Sequence, residues 1–439
     1  MKKSLTLFFL LAIAIKSGLC QFSPGYFALK DVTLIDGFSN HTWEHYTILI
    51  HGRLIEAVGP MKEVAIPDAV LVLDGKGKYV MPGLIDTHVH LATDPSHDDN
   101  RARAERDCKA MLLSGITSVR DMAGDARALA SLARDANLDE IMSPDIYYAA
   151  LMAGPSFFSD PRTHQSTAGA IAGAMPYMQA VTDSTDLRIA VAEAKGSGAT
   201  AIKLYAAISG ELAKKITTEA HRQHMLVWSH ANLDKASALE VINAGVNSIS
   251  HAAMVSGWNS KNIPAALLTP GHSSHFWDSV FNTLPVNDLI KAMKQNNTIL
   301  DATILTFRDA GSDSSLPAKR RLAWLAMYEI GKRFTRMAMK NGIPVCTGTD
   351  LDDRKFVQRE IKLLAQECDC TPMELLICAT RNAAAAVGIE KNTGTIQPGK
   401  TADIIVLSAN PAADINNLDK VEQVIKNGRL YNAVSYQNP

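Results

Sequence analysis

Gly83-Leu84-Ile85-Asp86-Thr87-His88-Val89-His90 is the stretch on which the fold turns. Its apolar opening reads as a buried strand, and the i, i+2 spacing of an extended chain sends His88 and His90 to the same face. Downstream, comparable apolar segments recur at residues 116–120, 145–151, 199–204, 226–230, 248–251, 299–304 and 345–350. Most are followed by an alanine- or leucine-rich stretch at helical period, such as 210–224, and 321–340 reads as the helix leading into the last segment. Strands alternating with helices predict a parallel sheet joined by right-handed connections. Counting 83–90 there are eight of them, the number that closes a (β/α)8 TIM barrel of the α/β class.

The flanks read differently. Residues 27–34, 47–50, 54–58 and 69–74 are short strands separated by turn signals at Asp36-Gly37 and Asp74-Gly75. Residues 403–407 and 421–426 are strand-like again, and Asn427-Gly428 supplies a hairpin turn before 429–431. The two ends are expected to build one small β-sandwich domain, contributed by residues 21–81 and 391–439, around a barrel spanning 82–390. The stretch 257–284 is less regular and carries Trp258, His272, His275, Phe276 and Trp277, so it reads either as a lid or as a packed surface loop.

A barrel needs roughly 250 residues, so a chain of 439 leaves room for that second domain. With 44 basic against 45 acidic side chains the net charge is −1, and no overall field draws the protein to nucleic acid or an anionic membrane. A small-molecule substrate fits better, and a homo-oligomer is compatible with this composition.

Residues 1–20 read as a signal peptide: Lys2 and Lys3, an apolar run over 5–15, then small or weakly polar residues to Cys20. The run is shorter than the ~20 residues that span a bilayer. The mature chain is therefore expected to start near Gln21 without a membrane span and to be exported, periplasmic or secreted. A lipoprotein reading through Cys20 is disfavoured by the bulk of Leu19. Cys108, Cys346, Cys368, Cys370 and Cys378 remain, an odd number that argues against a disulfide framework. Buried thiols are expected, with a bridge from Cys368 or Cys370 to Cys378 as the alternative.

In barrel enzymes the reacting groups sit at the carboxyl ends of the strands. His88 and His90 end the first strand, Lys203 lies beside the end of the fourth, and His230, His251 and Asp350 end the fifth, sixth and eighth. One histidine alone is more often a packing residue than a ligand. The succession of these at strand ends is a pattern that chance seldom produces, and four imidazoles with a carboxylate suit zinc, with manganese, cobalt or nickel as substitutes. Tyr205 could hydrogen-bond a substrate oxyanion or simply pack. Arg120 could bind a carboxylate or belong to a structural ion pair, and the loop 152–155 is placed at the entrance.

Met81-Pro82-Gly83-Leu84-Ile85-Asp86-Thr87-His88-Val89-His90, Gly348-Thr349-Asp350, Thr380-Arg381-Asn382-Ala383-Ala384 and residues 394–403 together resemble the amidohydrolase superfamily. The branch they resemble is the imidazolonepropionase-like and Xaa-Pro dipeptidase-like group. The resemblance implies two divalent ions, with His88, His90 and Asp350 at the more buried one and His230 and His251 at the more exposed one. It implies further that Lys203 is N6-carboxylated and bridges them, since an ammonium cannot ligate a cation whereas a carbamate offers two anionic oxygens. A metal-bridged hydroxide would then attack an amide carbon, with Asp350 as the catalytic residue that takes the proton and passes it to the leaving nitrogen. A dipeptide or an N-acyl amino acid is the expected substrate. Cyclic amide, lactone or phosphotriester hydrolysis by the same site is the alternative, and a non-catalytic scaffold is the reading from another class.

Overall fold

A computed structural model of the chain describes residues 25–68, 70–92, 101–259, 262–350 and 356–433. The leader read over residues 1–20 lies outside the described residues.

The first strands are β1 (Tyr26–Leu34), β2 (Trp43–His51), β3 (Leu54–Pro60), β4 (Leu71–Asp74) and β5 (Tyr79–Pro82). The barrel begins with β6 (Leu84–Val89), β7 (Ile116–Asp121) and β8 (Asp145–Ala153). A short hairpin, β9 (Ala174–Met175) and β10 (Met178–Ala180), precedes β11 (Ala201–Leu204), β12 (Leu226–His230), β13 (Ser248–Ser250), β14 (Ile299–Asp301) and β15 (Val345–Cys346). The chain closes with β16 (Ile404–Leu407), β17 (Val421–Lys426) and β18 (Arg429–Asn432).

Strands β6, β7, β8, β11, β12, β13, β14 and β15 pair in that order, all parallel. Between β15 and β6 there is no regular ladder. The seam is closed by Thr87 N donating to Thr347 O at 3.0 Å and Asp350 N donating to His88 O at 2.9 Å. Each segment expected as a barrel strand is one. The last is shorter than residues 345–350, because the chain after Cys346 leaves the ladder to run against β6. There a Cβ on Gly348 would stand 2.6 Å from His88 Cβ, so the approach requires glycine.

The two chain ends share one mixed sheet, ordered β18-β17-β16-β5-β1-β2-β3 with β4 beside β1. The link is β5, which pairs with β1 on one side and β16 on the other. Asn427 and Gly428 take φ of 53° and 74°, the left-handed pair that a two-residue hairpin turn needs. Just before them, Lys426 is buried and its ammonium lies 2.6 Å from Asp145 Oδ1 at the start of β8 and donates to Ala136 O at 2.9 Å. Removing one partner of a buried pair leaves the other charge stranded. Lys426→Met is therefore expected to lose roughly 3–5 kcal/mol of stability, read from the denaturation midpoint; a loss within experimental error would show that the sheet and barrel are not coupled here.

The described part of 257–284 packs against the barrel's helices. Its helix Ser274–Phe281 buries Trp277 and Phe281, and Asp278 accepts from Arg333 Nε at 2.9 Å on the long helix Ala318–Lys340. Cys108, Cys346, Cys368, Cys370 and Cys378 are all free thiols, so the bridge to Cys378 is absent. Among the described residues no helix is long and apolar enough to cross a membrane.

Candidate metal centre

His88 leaves the end of β6 on the barrel axis, and its Nδ1 faces Asp301 Oδ2 at 2.8 Å. The same carboxylate accepts from Arg120 Nη2 at 2.9 Å, Ser250 Oγ at 2.8 Å and Thr87 Oγ1 at 3.0 Å. Burial alone would raise the Asp301 pKa, but the facing His88, Arg120 and Ser250 hold it well below the carboxylate range. An ionised Asp301 fixes Nδ1–H as the donor, which leaves the Nε2 lone pair of His88 free to act as a ligand.

That lone pair points at Asp350. His88 Nε2 lies 3.5 Å and His90 Nε2 3.2 Å from Asp350 Oδ1, while His251 Nδ1 lies 3.8 Å from Oδ2. One ligand atom each from His88, His251 and Asp350 all lie within 4.8 Å of one another. His230 joins them through His251, with ring centroids 4.6 Å apart. Burial lowers the pKa of His88 and His230 and takes His251 to about 3, so these rings are neutral at physiological pH, the form in which imidazole binds a cation. The three imidazoles that face Asp350 outweigh its burial and keep its carboxyl ionised.

Lys203 is fully buried in β11, and its Nζ has no hydrogen-bond partner among the described residues. Burial, reinforced by the Arg120 charge, brings its pKa down to about 7. A chain that buries an amine without a partner loses about 1–3 kcal/mol. The donor set fits a metal group: neutral imidazoles, one ionised carboxylate and an orphaned amine at one mouth.

Holding these groups strains the backbone. His251, Thr303 and Asp350 are left-handed, with φ of 70°, 46° and 49°. Each such residue costs about 1–3 kcal/mol, and such outliers gather at functional sites. Thr303 Oγ1 lies 2.9 Å from His251 Nδ1 and so orients that ring.

Tyr205 follows β11, its ring centroid 4.1 Å from that of His230 and 4.6 Å from that of Phe157. Gly154 permits this, since a Cβ there would meet Ala207 O at 2.3 Å and push apart the loops after β8 and β11. Burial raises the Tyr205 pKa, so its phenol stays a hydrogen-bond donor.

For Arg120 the structure favours one of its two readings. Its guanidinium lies wholly inside the barrel beneath the histidines, bonded to Asp301, to Thr87 O at 2.5 Å and to Ser248 Oγ at 2.9 Å, and stacked 4.8 Å over Trp228. Those contacts take up the groups a substrate carboxylate would need, and Arg120 is the structural ion-pair member. Arg120→Met is expected to destabilise the fold by about 3–5 kcal/mol by stranding Asp301, with KM of the folded fraction unchanged. A raised KM at unchanged melting temperature would return it to the substrate site.

Sequence reasoning missed Asp301, Asp86 and Thr303. Asp86 accepts from His88 N at 3.1 Å and from Thr349 Oγ1 at 2.9 Å, and so ties β6 to the segment carrying Asp350. Asp86 and Asp301 each stand as a lone carboxylate within an apolar strand, and that was the available signal.

The profile of the Amidohydrolase family matches residues 79–431. The chain belongs to the amidohydrolase family. This amidohydrolase is 25% identical to the ochratoxinase of Aspergillus niger over 458 aligned positions, covering 88% of this chain and 86% of that one. A shorter likeness, 28% over 168 residues, covers 36% of this chain and 34% of the imidazolonepropionase of Thermoplasma acidophilum. Among solved structures, the Aspergillus niger ochratoxinase superposes with a TM-score of 0.75 at 22% identity, covering 93% of this chain and 96% of that one. A Xaa-Pro dipeptidase with bound methionine gives 0.74 at 22%, covering 93% and 100%. The fold is thus that of the amidohydrolase barrels, and the protein is a hydrolase acting on carbon–nitrogen bonds, in a family that generally uses metal ions.

Proposed function

We propose that this amidohydrolase cleaves the amide bond of a dipeptide or N-acyl amino acid, with two divalent ions, zinc by donor type, held by His88, His90, His230, His251, Asp350 and a carboxylated Lys203. The observation that carries the reading is the Lys203 amine, buried without a partner beside the histidine cluster. Adding CO2 to a neutral amine with loss of one proton gives a carbamate, and its two anionic oxygens supply what the site otherwise lacks. Two cations there would acidify a water and polarise a carbonyl.

The chain's own residues account for the rest. Asp350, kept ionised by the imidazoles it faces, accepts the proton of the attacking water and returns it to the departing nitrogen. Tyr205, protonated and beside His230, donates to the carbonyl oxygen as charge builds there. Asp301 and Thr303 hold His88 and His251 in place. Phe157 against Tyr205, and Phe307 with its centroid 5.9 Å from that of His251, give the neighbourhood an aromatic character that suits an apolar group on the substrate. The ochratoxinase likeness over most of both chains, and the dipeptidase likeness in fold, agree with a small amide substrate. The order of charged and apolar residues at 1–20 supports an exported protein, periplasmic or secreted.

A panel of dipeptides, N-acyl amino acids, cyclic amides, lactones and phosphotriesters assayed on the purified protein tests this. Amide cleavage is the expected result. Turnover of phosphotriesters or lactones with no amide cleaved would transfer the assignment to that alternative, and no turnover with no bound metal would favour a scaffold.

A further inference from the structure

A second group of metal-ligating atoms lies at the opposite end of the barrel from the histidines. The helix Ala318–Lys340 runs down to the amino end of β15, and the helix Val357–Glu367 returns there after it. Where they meet, Arg336 Nε donates to Glu367 O at 3.0 Å, and the residues just beyond are Cys368-Asp369-Cys370. Asp369 takes the left-handed conformation with φ of 52°, which folds Cys370 back on Cys368. Cys370 Sγ consequently lies 3.2 Å from the Cys368 carbonyl oxygen and 3.2 Å from Met339 Sδ, while the Cys368 thiol faces Lys332 O at 3.9 Å and has its pKa pushed up by the neighbouring Cys370 thiol. Cys368 is buried, while Cys370 and Met339 are half-buried, so an ion from solvent can reach the group. None of these residues contributes to the hydrolytic site.

The geometry points to a site for a soft monovalent cation, Cu(I), held by the Cys368 and Cys370 sulfurs with the Met339 thioether as third donor. Three donors define the choice. Thiolate with thioether is a soft set, whereas structural zinc takes four donors from cysteine, histidine or carboxylate, and methionine is not among them. Charge agrees with this. Two thiols lose their protons to solvent as one cation binds, leaving a complex of charge −1, and the Arg336 guanidinium, 3.2 Å from Asp369 Oδ2, stands next to it. Copper stays in the +1 state throughout, so no oxidant or reductant takes part.

The test uses the full-length reduced protein with its hydrolytic centre first saturated with zinc. Cu(I) is added from a chromogenic Cu(I) chelator in stoichiometric competition, with Ag(I) as a redox-silent second probe. One equivalent should be retained, with a thiolate-to-copper band in the ultraviolet and protection of two thiols from alkylation. Cys370→Ser should abolish retention. Met339→Leu should weaken it by about tenfold or more, a minimum set by what supporting residues of metal sites cost. Both variants should hydrolyse substrate as the parent does. Equal Cu(I) retention by Cys370→Ser and the parent overturns the proposal, as does purified protein in which Cys368 and Cys370 form a disulfide or in which no copper survives the competition.

Discussion

Asp350→Asn is expected to lower kcat by roughly 10³-fold or more, toward the upper range of what one proton-transferring group contributes, while most of the metal remains bound. The substitution conserves shape and one oxygen. Asp350 Oδ1 faces His88 Nε2 and His90 Nε2 while Oδ2 faces His251, so the side chain stands between the two halves of the site with an oxygen on each. An amide nitrogen in place of either oxygen donates and cannot accept a proton. The leaving amine then departs unprotonated, which is slow. Steady-state rates together with metal analysis of the variant separate this from a collapse of the site, and turnover like that of the parent would remove Asp350 from the proton path.

Lys203→Met should have the second-largest effect, and its sign on stability is opposite to its sign on activity. Methionine nearly matches the lysine stem in length and carries no group that can take up CO2. At least one cation per chain and roughly 10³-fold in kcat/KM should be lost, comparable with removal of a principal catalytic group. The metal-free fold should gain, because an amine buried without a partner is replaced by an apolar end, by about 1–3 kcal/mol. Intact-mass measurement completes the comparison: the parent should carry one added CO2 that the variant lacks. Full metal content and full rate in Lys203→Met would show the lysine to be structural.

Much of the architecture was legible because it is written in burial. Runs such as Leu84–Val89 and Ala201–Leu204 are buried at every position, and a fully buried strand has no way to hide its apolar character. Lys203 was conspicuous for the same reason, being a cation inside such a run. The strands β9 and β10 escaped notice, since two or three residues carry no period to read. β5, four residues long and followed almost at once by the first barrel strand, is the strand that joins both chain ends.

Arg120 shows a different limit. A place near a strand end is compatible with access to the mouth or with an interior ion pair, and the side chain lies in the barrel interior, a matter of register that one segment cannot reveal. Asp301 went unremarked because its importance lies wholly in partners far along the chain: His88, Arg120, Ser250 and Thr87. The left-handed turns at His251, Thr303 and Asp350 were invisible for a related reason, since only the surrounding packing imposes them on residues that prefer other conformations.

Elemental analysis of the purified protein, before and after dialysis against a chelator, bears most directly on the proposed centre. Near two divalent ions per chain, lost together with amide hydrolysis and regained together on adding zinc, is the outcome the two-ion site requires. Protein that hydrolyses its substrate at full rate after the last metal has gone would contradict it.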